Sequence, residues 1–157
     1  MQRFPMTQEG YQKALSELKN LKEVVRKQVI DEIEEARSHG DLSENAEYDA
    51  AKERQGFTEA RIRELEYKIN LAQVIDTSKL QGDRIVFGAT VTISDLDSGD
   101  EQTWRIVGDE EADPKAQRLS VSSPLARALI GKELGDEVKF QTPRGLRSCE
   151  VVHVRYE

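Results

Sequence analysis

The sequence has little of several features that define common classes of protein. It contains a single cysteine, Cys149, among 157 residues, so no disulfide can form within the chain, and we expect a reducing, cytoplasmic setting. Cys149 itself fits a small buried side chain. No apolar run approaches the roughly 18 residues that a membrane-spanning helix needs, and the first residues lack the apolar core of a signal peptide. The sequence therefore predicts a soluble protein that does not enter membranes.

An excess of positive charge is also missing. The formal net charge is -7, with 34% charged and 37% hydrophobic residues. Because proteins that coat nucleic acid neutralise phosphates with excess Lys and Arg, this balance argues against extensive nucleic-acid binding and leaves only local contacts. The length suffices for two small domains, each with a modest core, although the composition also fits one loosely packed domain.

The first half of the chain has helical periodicity and almost no helix breakers. Between Thr7 and Ser38, where Thr7 is a good N-cap, the only glycine is Gly10 and apolar residues recur at steps of three and four: Leu15, Leu18, Leu21, Val25, Val29, Ile33 and Ala36. A second run, from about Ser43 to Ile75, has a less regular stripe, with two arginines near its seam; it comprises Ala46, Ala50, Phe57, Ile62, Leu65, Ile69, Ala72 and Ile75.

The link between these two runs is short, which favours an antiparallel coiled-coil hairpin. Arms of about 30 residues would each reach about 45 Å at 1.5 Å per residue. The alternative is an ordinary compact helical bundle, but no third long helix follows in the sequence. We therefore predict a hairpin whose tip lies near residues 38–42.

The second half of the chain has the pattern of a small sheet. Glycines punctuate short segments after Asp76, and turn signals at 97–100 and 143–145 separate alternating stretches that predict strands over 89–95, 102–107, 137–141 and 146–156. A short helix is predicted after Ser123, with Pro124 at its first position and Gly131 as its terminator. The predicted fold class is α+β, with the coiled-coil hairpin domain over 1–77 and a small antiparallel sheet domain with one helix over 78–157.

The predicted tip of the hairpin is strongly acidic. Residues 31–53 contain nine acidic and two basic side chains. Asp41 and Glu44 can aim at one point, and Mg²⁺ is typically held by one or two carboxylates together with waters and substrate oxygens. A weak magnesium site is one hypothesis. The alternative is a capping box, because Asp41-Leu42-Ser43-Glu44 has the spacing of an N-cap with a carboxylate three residues later. The spacing alone does not separate the two.

Two cations, Arg37 and Lys52, flank this acidic segment. They could guide a nucleic-acid end toward the carboxylates, or they could simply form surface salt bridges. His39 could act as a general base, although a solvent-facing histidine is the plainer interpretation, and His153 has no ligand-spaced partner. The sequence contains no zinc pattern, P-loop, dinucleotide fingerprint or nucleophile elbow.

The segment from Arg37 to Gln55, RSHGDLSENAEYDAAKERQ, resembles the tip signature of Gre-family transcription elongation factors of the GreA type. The resemblance extends over essentially the whole chain, through residues 72–76, 86–91, 105–108, 111–113 and 129–132. It implies an N-terminal coiled-coil hairpin and a C-terminal domain with the fold of FK506-binding proteins.

The resemblance also implies a function. The globular domain would dock on RNA polymerase, and the hairpin would pass through the secondary channel to the active centre of a backtracked complex. There Asp41 and Glu44 would be the catalytic, metal-directing carboxylates, and the Mg²⁺ that they hold would be shared with the polymerase. The factor would stimulate the polymerase's cleavage of the nascent RNA 3′ end. It would not be an enzyme on its own. Arg37 and Lys52 fall in the family's basic patch, in contact with the RNA end. The family commonly has arginine at the position of Lys52. Lys52 therefore offers a point charge instead of a guanidinium that can donate two parallel hydrogen bonds.

For polymerase docking we expect Ser123, Pro124 and Leu125, and we expect the protein to be a monomer. Three alternatives stay open. The first is a Gre-like inhibitor that plugs the polymerase channel, which the intact Asp41 and Glu44 disfavour. The second is a prolyl isomerase or chaperone, for which the second half has few aromatic residues to build a hydrophobic cleft. The third is a plain coiled-coil adaptor.

Overall fold

The chain forms two compact units in a computed structural model that describes residues 3–40 and 45–156. One unit contains Met1–Gly10 together with Ala72–Glu157, and the other contains Tyr11–Leu71. This division differs from the expected one at 77/78, since the first ten residues group with the second half. The physical reason is strand pairing: β1 (Phe4–Thr7) lies parallel to β2 (Ala72–Ile75), with Phe4 opposite Ala72 and Thr7 opposite Ile75.

The first helical run is continuous but not uniform. It consists of α1 (Gln8–Asn20), a π-helical turn at Leu21–Val25, and α2 (Arg26–Ser38). Thr7 caps α1 as predicted, because its Oγ1 accepts a 3.0 Å hydrogen bond from the Gly10 amide. The sequence did not indicate the π-helical turn, since apolar periodicity alone does not distinguish one wider turn within a helix.

The second run forms α3 (Ala46–Asn70), which packs antiparallel to α2. Val29 and Ile33 from α2 and Ala51 from α3 form a buried cluster, and ion pairs cross between the arms: Lys22–Glu66 at 2.7 Å, Arg26–Glu59 at 3.0 Å, Arg61–Glu17 at 2.8 Å, and Arg54–Glu32. The predicted hairpin is confirmed. Within the described residues, no helix combines the length and apolar character needed to cross a membrane.

Two details of the second run were wrong. α3 ends at Asn70, with Leu71 as its C-cap, so residues 72–75 are a strand and not the end of the helix. Three members of the predicted stripe are exposed, namely Ala46, Ala50 and Phe57, which is 68% exposed, whereas the following residues Ala51 and Thr58 are buried. Periodicity placed the stripe one residue off here because the seam of α3 contains few large apolar residues.

The other unit is built on a five-stranded sheet in the order β5-β4-β3-β7-β6. The strands are β3 (Thr90–Asp95), β4 (Glu101–Val107), β5 (Arg118–Ser120), β6 (Glu137–Thr142) and β7 (Gly145–Arg155). Neighbours are antiparallel except β4 and β5, which are parallel, so the sheet is mixed. The four longer strands were predicted, whereas the three-residue β5 was not.

A short helix, α4 (Pro124–Leu129), covers the sheet as predicted. The Ser123 Oγ accepts a 3.2 Å hydrogen bond from the Ala126 amide at its start, and Gly131 follows its end with φ of +91°. Residues from α4 and the strands share one buried core, made of Ile85, Ala89, Val91, Ile93, Ile106, Ala126, Leu129, Val138, Cys149, Val151 and Val154. Cys149 is therefore a small buried side chain, as expected.

Candidate functional site at the hairpin tip

Asn45 connects the two arms of the hairpin. Its backbone is extended, its Oδ1 accepts a 3.1 Å hydrogen bond from the Tyr48 amide, and its Nδ2 donates a 2.6 Å hydrogen bond to the Ala36 carbonyl. The N-cap of α3 is thus Asn45, and the interpretation of Asp41 as that N-cap is wrong. Asp41 and Glu44 themselves lie outside the described residues.

The other end of the loop is held to α2. Gly40 has φ of +100°, a backbone conformation that suits glycine, and its amide donates a 3.2 Å hydrogen bond to the Arg37 carbonyl. The His39 amide donates to the Ala36 carbonyl at 3.2 Å. Gly40 and Asn45 are therefore both tied to the last turn of α2. The sequence that joins them contains both candidate carboxylates.

The two flanking cations contact uncharged partners. The Arg37 guanidinium lies over the Tyr48 ring, 6.0 Å from its centroid, and the Lys52 Nζ donates a 3.1 Å hydrogen bond to the Gln55 Oε1. Within residues 3–40 and 45–156, neither cation forms an ion pair with a carboxylate. Both side chains are exposed. Their positive charge is thus available to an anionic partner, although contact with RNA stays a prediction.

His39 faces solvent, as the plainer interpretation held. Its Nε2 is 3.7 Å from the Glu47 Oε2, and the two side chains are 54% and 74% exposed. This contact is an ion pair only when the imidazole is protonated, and pairs this exposed contribute little to stability. His153 is an exposed residue of β7.

Two of the described carboxylates near the tip have basic neighbours. Glu32 pairs with Arg54, and Glu47 lies beside His39. Among the residues that the structure describes, no three His, Cys, Asp or Glu side chains are grouped to hold a metal ion. The donor chemistry of Asp41 and Glu44 does fit a hard divalent cation, and two carboxylates alone correspond to weak binding completed by other oxygens.

Comparison with known proteins identifies both halves of the chain. The family model described as "Transcription elongation factor, N-terminal" matches residues 4–74, and the model described as "Transcription elongation factor, GreA/GreB, C-term" matches residues 80–156. The chain belongs to the GreA/GreB family of transcription elongation factors. The resemblance of the tip segment is therefore confirmed.

Individual relatives agree with this assignment. The chain is 59% identical over 157 residues to "Transcription elongation factor GreA" of Hyphomonas neptunium, covering 100% of both chains. It is 56% identical over 156 residues to the protein of the same name from Azorhizobium caulinodans, covering 99% of each. Among solved structures, GreA factor homolog 1 of Thermus thermophilus is 26% identical, with a TM-score of 0.45, over 98% of this chain and 99% of that one.

In this Gre-family chain, the three expected docking residues lie at the start of α4. Pro124 is exposed, Leu125 is half-buried against the core of the sheet unit, and the Ser123 hydroxyl caps the helix. Ser123 and Leu125 thus have structural roles of their own. Pro124 presents the most accessible surface of the three.

Sequence reasoning missed two residues at the Gre-family tip. Asn45 was overlooked although asparagine directly before an alanine-rich helical run is itself an N-cap signal. Tyr48 was not assigned a role, yet its amide is capped by Asn45 and its ring lies beneath Arg37. An arginine and an aromatic residue that meet across a hairpin give no periodic signal, so this contact needed the structure.

Proposed function

We propose that this chain binds RNA polymerase, inserts the hairpin tip into the secondary channel, and stimulates the polymerase's own magnesium-dependent cleavage of backtracked RNA at its 3′ end. One observation carries the proposal. Gly40 and Asn45 are both tied to the end of α2, so the residues on either side of the segment that contains Asp41 and Glu44 lie at the end of a helical hairpin. The 25 residues of α3 correspond to about 37 Å of helix.

Each tip residue has a role in this proposal. Asp41 and Glu44 would hold Mg²⁺ together with ligands of the polymerase, and the ion would supply a polarised phosphate and an activated water. Two carboxylates provide only part of a six-ligand shell, so the chain acts on the polymerase and does not catalyse cleavage alone. Arg37 and Lys52 attract the phosphates of the nascent RNA 3′ end. Asn45 ties the start of α3 to the end of α2.

The sheet unit would supply docking. Pro124 is exposed at the start of α4, next to Ser123 and Leu125, and this corner is the proposed contact with the polymerase. We propose that the factor binds as a monomer in the cytoplasm. In this proposal the sheet unit would bind the polymerase, and the hairpin would enter the channel.

The test uses a stalled, backtracked elongation complex with RNA labelled near its 3′ end and Mg²⁺ present. The intact protein is expected to release short labelled fragments. Asp41→Asn and Glu44→Gln each remove one charge and a good magnesium ligand, so they should bind the polymerase but lose most fragment release. Glu35→Gln, an exposed carboxylate of the same acidic segment, is the matched control and should stay active.

The outcomes separate the proposal from its rivals. A fully active Asp41→Asn protein would reject the metal-directing role of that carboxylate. If the intact protein binds the complex but leaves the transcript unchanged, the chain is a channel inhibitor. If it does not bind polymerase, the proposal fails as a whole.

A further inference from the structure

The outward side of α3 carries an exposed apolar patch. The Phe57 side chain is 68% exposed, the highest fraction among the exposed large hydrophobic residues of the described chain. Gly56 and Ala60 are also exposed. Because residues three and four apart are neighbours on a helix, Ala60 lies beside both of the others. We call Gly56, Phe57 and Ala60 the Phe57 patch.

Nothing in residues 3–40 and 45–156 requires a glycine at position 56. It lies in the interior of a 25-residue helix, where glycine is less favourable than alanine. Its φ is not in the left-handed region, and among the described residues a Cβ added there would meet no atom of another segment within 4 Å. Neither backbone conformation nor packing therefore requires glycine at this position. A missing side chain beside an exposed aromatic ring does allow the surface of a partner to approach closely.

Two arginines near Phe57 are already paired, whereas Glu53, four residues before it, is an exposed carboxylate. Arg54, three residues before, pairs with Glu32. Arg61, four residues after, lies 2.8 Å from Glu17 and 3.3 Å from Glu64. An apolar centre within a polar rim is the arrangement found at energetic hot spots of protein interfaces. These paired arginines, next to a segment with nine acidic and two basic residues, are poorly suited to a phosphate backbone.

We propose that the Phe57 patch binds an apolar protein surface of RNA polymerase, with the Phe57 ring inserted into a pocket and Gly56 allowing the close approach. This inference rests on the proposed function. Phe57 follows Ala46 by eleven residues, or about 17 Å along α3, so a hairpin inserted as far as its tip carries the patch into the channel. The occupant is protein and not RNA, because the patch offers an apolar ring beside the Glu53 carboxylate, which repels phosphates.

The experiment compares affinities for core RNA polymerase by competition with fluorescently labelled intact protein. Phe57→Ala is expected to weaken binding about tenfold or more, as truncation of a hot-spot aromatic does. Gly56→Ala is expected to weaken binding and at the same time to raise the melting temperature, because alanine favours the helix. A merely structural role would not produce these opposite effects. Leu146→Ala removes a side chain that is 63% exposed in β7 and should leave the affinity unchanged.

Each other outcome overturns the inference in an identifiable way. If the intact protein binds polymerase and both patch variants bind equally well, the patch is not a polymerase contact, while the proposed function stands. If the intact protein self-associates in sedimentation and only Phe57→Ala abolishes this, the occupant is a second copy of the chain. If the variants lose affinity for single-stranded RNA instead, the occupant is nucleic acid. Failure of the intact protein to bind polymerase overturns both proposals.

Discussion

The side-chain amide of Asn45 donates a 2.6 Å hydrogen bond to the backbone carbonyl of Ala36, nine residues earlier. The carbonyl oxygen of the same side chain accepts from the Tyr48 amide at 3.1 Å. Helix ends leave carbonyl and amide groups without partners inside the helix. One side chain thus bonds the Ala36 carbonyl at the end of α2, which also accepts from the His39 amide, and caps an amide at the start of α3.

Replacing Asn45 tests this link. Asn45→Ala removes both hydrogen bonds and is expected to lower the free energy of unfolding of the hairpin by about 1–2 kcal/mol. Urea unfolding followed by helical circular dichroism measures the loss. Asn45→Asp is the matched variant, because a carboxylate still caps α3 but has no N–H to donate to Ala36. If the aspartate variant is as stable as the original protein, the bond to Ala36 contributes nothing.

The hairpin could be predicted because its signal is local and periodic. The stripe from Leu15 to Ala36 gave the first arm, and the short link gave the antiparallel return of the second. Phe57 was misplaced because α3 buries small or polar residues such as Ala51 and Thr58 in its seam, which hydrophobicity alone does not mark. The strand at Ala72–Ile75 was missed because its partner, Phe4–Thr7, lies at the other end of the sequence.

The candidate site was predicted only in part, for a similar reason. Residue type and spacing located the acidic tip and its two flanking cations. The same spacing suggested that Asp41 caps the second helix, whereas Asn45 does so. Asp41 and Asn45 are only four positions apart, and the short sequence from one to the other contains several residue types that are good N-caps. The partner of Arg37 is an aromatic ring on the opposite arm, which composition could not indicate.

Glu111 is expected to stabilise the sheet unit. Its carboxylate accepts 3.0 Å hydrogen bonds from the amides of Thr7 and Gly108, and another from the Thr7 hydroxyl. Glu111→Gln replaces one acceptor oxygen by a donor and should lower the free energy of unfolding by about 1–3 kcal/mol. Fluorescence of Trp104, the only tryptophan, reports on this unit during urea unfolding.

A matched control for this prediction is Glu133→Gln, which makes the same charge change at an exposed residue. Gly10→Ala offers an independent check, since its Cβ would overlap the Glu111 carboxyl carbon and force that side chain to move. If Glu111→Gln unfolds at the same urea concentration as the control, the carboxylate is not needed for stability.

Cys149 should make stability depend on pH in the alkaline range. Cys149 is 2% exposed, and burial raises the pKa of its thiol, with the Asp95 carboxylate raising it further. Because the thiol pKa is higher in the folded than in the unfolded state, the protonated thiol contributes its full share to the free energy of unfolding below the ordinary thiol pKa. This contribution is lost as the pH rises through the folded-state pKa. Urea unfolding at pH 7 and pH 9.5 should therefore show a loss of stability at the higher pH.

Cys149→Ala separates this effect from other titrations. The variant leaves a small cavity and should be less stable by about 1 kcal/mol at neutral pH, but it lacks the thiol ionisation. Its stability should consequently fall less between the two pH values. Equal falls for both proteins would show that the thiol ionisation does not contribute. Alkylation by iodoacetamide should also be slow in the folded protein and fast in urea.

The cations at the tip should govern how well the factor engages the RNA end. Arg37→Ala and Lys52→Ala are each expected to slow fragment release from a backtracked complex about two- to fivefold, the range for an exposed charge contact. Lys52→Arg should retain or increase the rate, because a guanidinium binds phosphate through two hydrogen bonds where an ammonium offers a point charge. Tyr48→Phe keeps the ring beneath Arg37 and should change little.

Salt distinguishes a direct electrostatic contact from a structural effect. The rate with the intact protein should fall as ionic strength rises, and the two alanine variants should show a weaker dependence, because salt screens exposed charges. Lys68→Ala is the matched control: it removes a lysine of α3 that pairs with Glu64 at 3.2 Å, sixteen residues after Lys52 along the same helix. Its rate and salt dependence should match those of the intact protein. Should Arg37→Ala and Lys52→Ala behave like Lys68→Ala at every salt concentration, the tip cations do not contact the RNA, and the carboxylates must act without them.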